Sequence, residues 1–215
     1  MADTIPSGLT NSPFVGIKNC HVAKLLTDEK GKAATYDASV SIPWLRQVQI
    51  KPKNNQEKLY ADNQAVAVAT ATSSYDLTVE MGNIPLEYKA LLLGHKYENG
   101  KITVSSADAA PYFALMFEST KQNGKSRFVR FTKVQFTEPD ETSKTKEENV
   151  SFNTPTMTAT AIYRTSDDVS LEQADEDATG YTEDTGKNWY TLTAAASAPG
   201  AQPIHKMFTA GDKSI

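Results

Sequence analysis

Residues 119–126 read STKQNGKS, and Gly124-Lys125-Ser126 supply the second half of a phosphate-cradling loop of the form G-x-x-x-x-G-K-[ST]. Such a loop needs a helix directly behind it, because the helix N-terminus holds the phosphate. Position 119 is serine, and the residues that follow, RFVRFTKVQF, alternate as a strand. Asn123-Gly124 between two strand-like segments is a strong hairpin signal instead. The other reactive side chains are as unpromising. His21, His95 and His205 have no metal-ligand spacing, and Cys20 and His21, as strand neighbours, face opposite ways. A calcium loop opening at Asp175 would need a ligand at Thr179 and a glutamate at Gly186. SKTK at 143–146 matches S-x-x-K but lies in a polar, charge-rich loop. The expectation is a protein that is not an enzyme, with no catalytic residue, no metal and no cofactor.

The elements that would position these residues are strands. In SYDLTVEMG (74–82), Tyr75, Leu77, Val79 and Met81 oppose Asp76, Thr78 and Glu80; in RQVQIKPK (46–53), Val48 and Ile50 oppose Gln47, Gln49 and Lys51; in NVSFNT (149–154), Val150 and Phe152 oppose Asn149, Ser151 and Asn153. Period-two alternation of this kind marks strands with one apolar and one polar face. PYFALMFE (111–118) is apolar on both faces and reads as a buried strand. RFVRFTKVQFT (127–137) shifts phase, with Val129 and Phe131 odd and Val134 and Phe136 even, which predicts a β-bulge near Thr132. Further strands are expected at 14–26, 36–44, 64–72, 101–105, 156–164 and 188–195. One helix is expected, over NIPLEYKALLLG (83–94), with Asn83 near its cap, Pro85 in the first turn, Gly94 as the stop, and Leu86, Ala90, Leu91 and Leu93 as its apolar side. The fold class that follows is mostly β, a β-sandwich or barrel with one short α-helix at about 84–93.

With 215 residues, 39% of them hydrophobic, the chain can build one large domain, and no apolar run nears the ~18 residues of a membrane helix. The single cysteine rules out an internal disulfide. A net charge of −4 argues against a dedicated nucleic-acid binder. Residues 166–187 hold eight acids and one lysine, and they read as a solvated acidic loop beside a near-neutral remainder. Residues 1–13 read as a flexible arm with no basic or apolar leader region. Trp44 and Trp189, in apolar contexts, read as core.

The polar strand faces at 46–52, 74–80, 133–137 and 149–153 carry no aromatic residue. An ordinary solvated sheet face explains them. So does the inner wall of a water-filled channel, if copies of the chain close into a ring.

Taken together, GIKNCHVAKL (16–25), SIPW (41–44), YADN (60–63), NIPLEYKALLLG (83–94), YFALMFES (112–119) and NWYTL (188–192) resemble, in order and spacing, the major tail tube protein of non-contractile long-tailed bacteriophages of Gram-positive hosts. The resemblance spans roughly residues 14–195 and departs at Ser74, where members often carry glycine, and in the tail from 194 to 215. It implies a domain over 14–195 with a β-sandwich/barrel tail-tube fold, a long inter-strand loop and extended terminal arms, the last of them a C-terminal extension over 196–215. It implies a homo-oligomer: hexameric rings stacked around a tape-measure protein, meeting tail terminator and distal tail proteins at the tube ends. Such a tube is a virion component, assembled in the host cytoplasm, and conducts genomic DNA without specific binding and with no part for a membrane. Four strands per copy, mapped onto 46–52, 74–80, 128–137 and 147–153, would form the inner barrel. Six copies at a strand spacing of about 4.8 Å give a circumference of roughly 115 Å and a width of about 37 Å, enough for a duplex.

On that reading the lumen is lined by Gln47, Gln49, Lys51, Asp76, Thr78, Glu80, Lys133, Gln135, Asn149 and Ser151, with Asp76 and Glu80 repelling phosphate. Lys51 and Lys133 sit at ring boundaries or pair with acids on the next strand. KPKNNQEKLYADNQ (51–64) is the long loop, and Lys53, Asn54, Asn55, Gln56, Glu57 and Lys58 in it would make ring-to-ring contacts. Two other readings stand beside this one: a tube subunit of a phage-tail-like bacteriocin or secretion machine, and a monomeric β-sandwich binding module.

Overall fold

A computed structural model describes residues 12–61, 64–139 and 154–192. The fold is mostly β, with a large antiparallel sheet and two helices in a sandwich-like arrangement. The elements in chain order are β1 (Phe14–Thr27), β2 (Thr35–Tyr36), β3 (Val40–Ser41), β4 (Leu45–Ala61), β5 (Gln64–Met81), α1 (Leu86–Leu93), β6 (Lys96–Glu98), β7 (Lys101–Thr103), β8 (Tyr112–Lys121), β9 (Ser126–Phe136), β10 (Thr156–Ala161), β11 (Leu171–Asp175) and α2 (Glu183–Lys187). The main sheet runs β2-β1-β8-β9-β10-β5-β4, with β3 added on β1 and β11 on β9; β6 and β7 form a separate hairpin.

One face of this sheet wraps a single core. Cys20 and Val22 of β1, Leu77, Val79 and Met81 of β5, Phe113, Leu115 and Phe117 of β8, Val129, Phe131, Val134 and Phe136 of β9, and Met157, Ala159 and Ala161 of β10 meet there, closed by Leu92 and Leu93 of α1. On the other face Ala23, Ala114, Met116, Phe128, Tyr36 and Trp189 form a second, smaller core. β8 is therefore apolar on both sides, as its sequence requires.

The phase shift in β9 is a bulge. Phe113 faces Val134 and Leu115 faces Phe131, so Thr132 and Lys133 together oppose Ala114 alone. Thr132 is fully buried, and its hydroxyl donates to Val169 O at 2.7 Å. The Asn123-Gly124 hairpin is also present: Gly124 N donates to Lys121 O at 3.0 Å, Lys121 N to Lys125 O at 2.7 Å, and Gly124 sits at φ 82°.

Several expectations are corrected. Residues 51–61 are strand, not loop: β4 and β5 pair as one long ribbon out to Ala61↔Gln64. The expected strands 64–72 and 74–82 are one element, interrupted where Lys53 faces Ser74 and Asn54 faces Thr72. The region 36–44 supplies only the short β2 and β3, and 188–192 is turn and irregular chain. The acidic stretch 166–187 holds β11 and α2, because its carboxylates have cations to meet. The first helix is capped at Pro85 rather than Asn83, with Gly94 left-handed at its end as expected. Ala90, Leu92 and Leu93 are its buried residues, whereas Leu86 is exposed. Trp44 is 68% exposed, while Trp189 is buried. The expected strand 149–154 lies, apart from its last residue, outside the described residues.

Candidate functional site

Alternation along three neighbouring strands builds a polar face. Leu77, Val79 and Met81 point into the core from β5, as do Met157, Ala159 and Ala161 from β10. Their neighbours must point the other way. Cross-strand register lines these up in rows: Gln47, Glu80 and Thr156; Gln49, Thr78 and Thr158; Lys51, Asp76, Thr160 and Gln135. Thr137 extends the middle row, its hydroxyl 2.9 Å from that of Thr158. Seven sequence-predicted residues, Gln47, Gln49, Lys51, Asp76, Thr78, Glu80 and Gln135, thus share one surface. Three threonines of β10, all exposed, join it unforeseen. Their signal is TMTATA, a period-two pattern as clean as that of β5.

The face carries charge, arranged in pairs. Arg46 Nη1 lies 3.0 Å from Glu80 Oε1, and Lys53 Nζ lies 2.9 Å from Asp76 Oδ1. The two acids are thus neutralised by cations of β4. Lys133 is placed elsewhere, because the bulge at Thr132 turns it toward the β1–β2 connection. There its Nζ sits 2.7 Å from Asp28 Oδ2 and 5.0 Å from the Tyr112 ring centre. The Lys133 ammonium and the backbone N–H groups of Thr165 and Ser166, against the opposing effect of burial, hold the Asp28 carboxyl well below the usual carboxylate range. Asn149 and Ser151 lie outside the described residues.

Beyond Lys51 the same ribbon continues away from the core. Lys53 to Lys58 are all exposed and pair with β5 from Ser74 down to Val68. β4 is the terminal strand of the sheet order, so its outer edge has no strand partner among the described residues. A long unpaired edge is a template for another chain.

The acidic segment is fastened along the first half of β9, beside the β8–β9 hairpin. Lys121, only 6% exposed at its side chain, reaches both Asp175 and Asp177, the latter at 2.8 Å. Arg127 binds Asp175 at 2.9 Å and Lys125 binds Asp177 at 3.0 Å. Arg130 binds Glu172 at 3.0 Å while lying 4.4 Å from the Trp189 ring centre. Hydrogen bonds from Lys121, Asn123 and Lys125 hold the Asp177 carboxyl well below its ordinary range.

The side chains best suited to chemistry are structurally committed. Burial pushes the Cys20 thiol up to about 12, so it is a protonated core residue at neutral pH. Burial lowers the basicity of His21, whose ring lies against Tyr190 at 4.3 Å between centres. His95 is held between two carboxylates, Asp108 at 2.7 Å and Glu138 at 3.0 Å. Among the described residues no cluster of His, Cys, Asp or Glu is placed to hold a metal ion, and no helix is long and apolar enough to cross a membrane.

The polar face, the ribbon and the fastened acidic segment fall within residues 47–189, apart from Arg46, and this stretch matches the family model described as phage tail tube protein. No curated protein matches the chain.

Proposed function

The chain belongs to the phage tail tube protein family, and from that premise we propose that the rows on β4, β5, β10 and the end of β9 are the inner wall of a tube built from copies of this chain. The observation that carries the proposal is the combination of a wide polar face, its rows on β4, β5 and β10 free of aromatic side chains, with a 17-residue strand edge beside it that has no strand partner among the described residues. In a hexameric ring each β4 edge pairs with a strand of the next copy, and the polar faces join into one barrel around the tape-measure protein. When that protein leaves, genomic DNA passes along the barrel.

Passage requires that phosphates find few cations to grip, since each neutralised phosphate adds a salt-dependent hold. Gln47, Gln49, Thr78, Thr156, Thr158 and Thr160 offer hydration without charge. Asp76 and Glu80 serve by occupying Lys53 and Arg46 as much as by repelling phosphate. The ribbon from Lys53 to Lys58, projecting beyond the core, is the ring-to-ring contact in this arrangement.

The test uses thiol labelling in a chain whose own Cys20 is buried. Thr158→Cys is expected to react with a small maleimide before and after assembly, and with a maleimide on a long polymer only before it. Assembled tubes, identified by electron microscopy, in which the large reagent reaches residue 158 at the free-chain rate would put this face outside and overturn the proposal.

A further inference from the structure

Trp44 is 68% exposed, yet its position is tightly set. Ile42 before it is buried in the core and Leu45 after it packs against that core. Between these anchors Trp44 adopts φ 68°, a left-handed conformation that is a genuine outlier for a bulky side chain. Its carbonyl accepts Gly82 N at 2.8 Å, and its Cβ and ring edge stand against Gly82, where an added Cβ would lie 3.5 Å from Trp44 Cβ. The backbone is therefore strained in a way that turns a large aromatic ring outward from a sequence, IPWL, that would otherwise bury it. Strain of this kind persists where the surroundings enforce it and is found at binding sites.

We propose that Trp44 is an anchor for a second copy of this chain, filling a pocket on the neighbour when the β4 edge is paired. Trp44 is the residue directly before β4, so a strand aligned along the Leu45–Ala61 edge brings its own subunit over the indole. The family is one of homo-oligomeric tubes, which identifies the copy rather than a foreign protein as occupant. Charge stands close to the indole along the chain, Arg46, two residues on, being paired to Glu80. An aromatic anchor inside a polar rim is the usual anatomy of an interface hot spot. This inference rests on the tube reading.

The chain has two tryptophans, and Trp189 is 7% exposed, so acrylamide quenching of the unmodified protein separates them. In the dilute chain one accessible component, Trp44, is expected; on assembly it should disappear with a blue shift of emission. Trp44→Ser should keep the circular dichroism and melting temperature of the parent while raising the critical concentration for assembly at least about tenfold, and Trp44→Phe should restore much of it. Tubes in which Trp44 stays quenchable, or a serine variant that assembles at the parent concentration, overturn the inference and leave the tube reading standing. A chain that forms no tube or ring at any concentration overturns both.

Discussion

Asp76 pairs with Lys53, two residues along β4, and not with Lys51, which faces it directly across the strand pair. The offset leaves one acid answering one cation on the polar face while Lys51 stays exposed. With Glu80 held by Arg46, the face carries three cations and two acids per chain, a net charge of one. Removing both acids, as in Asp76→Asn with Glu80→Gln, raises that to three. The pairs are substantially exposed, so the fold should lose no more than about 1 kcal/mol. DNA inside assembled tubes should, by contrast, be retained, with a retention that falls steeply as salt rises. Equal DNA release from parent and variant tubes at low salt would show that this face does not meet the genome.

Thr132 combines a bulged backbone with a fully buried hydroxyl that donates to Val169 O. Thr132→Val keeps the shape and removes the hydroxyl donor, so Val169 O is left to the Arg164 N–H and Ser170 O to the Thr132 N–H. The expected loss is about 1 kcal/mol in urea unfolding, with an unchanged m-value. A neutral result would mean that the two remaining backbone donors hold the 169–170 strap by themselves.

The bulge was legible because β9 buries the same face before and after it, so the register slip appears as a parity change from Phe131 to Val134. The same logic explains what was not legible. Residues 53–58 touch no core, so their pairing leaves no apolar period and this polar half of the ribbon looks like a loop, whereas its partner 64–72 reads as strand. Thr156, Thr158 and Thr160 alternate cleanly, but threonine suits a strand on either face and does not announce a wall. The acids at 172–177 read as a solvated loop because their partners, Lys121, Arg127 and Arg130, are more than 40 residues away in sequence. Trp44 was misplaced because only the backbone angle, and no property of IPWL, turns the ring outward.

Lys121 is the buried cation that holds the acidic segment to the β8–β9 hairpin. Lys121→Met leaves Asp175 with Arg127 and the Asp177 backbone N–H, and Asp177 with Asn123 and Lys125. Breaking a buried pair from one side should cost about 3 kcal/mol. Both carboxyls lie below their ordinary values in the folded chain, Asp175 despite its burial, because Lys121 and neighbouring donors favour the charged form. Their stabilisation is thus complete above about pH 4 and drains away as pH falls below it. Thermal melts between pH 2 and 6 should show that decline in the parent and a flatter profile in Lys121→Met.

His95 behaves in the opposite sense. Carboxylates only accept hydrogen bonds, so an imidazole between Asp108 and Glu138 must donate from both nitrogens and be the cation. The hydrogen bond to Glu138 is the leading cause that raises its basicity, against some desolvation; Lys89, also on Glu138 at 2.7 Å, belongs to the same cluster. A raised folded value means that the stabilisation is whole below about pH 6.5 and is lost as pH climbs through the folded one. Melting temperature should fall between pH 6.5 and 9 in the parent, and His95→Gln should remove most of that slope. A parent whose stability is level across this range would refute the cationic assignment.

The β4/β5 ribbon separates folding from assembly. Its residues from Lys53 to Lys58 touch none of the core cluster, which ends on this hairpin at Ile50 and Tyr75. Deleting 54–58 alone would strand 68–72 without its ladder partners, so the shortened chain should lose both halves together. Such a chain should unfold with a melting temperature within a few degrees of the parent, because removing an exposed ladder takes little apolar surface out of the fold. On the proposed stacking role it should form rings at most, and no tubes by negative-stain microscopy at concentrations where the parent polymerises. Tubes of ordinary length from the shortened chain would show that rings meet through some other surface, whatever the inner wall is made of.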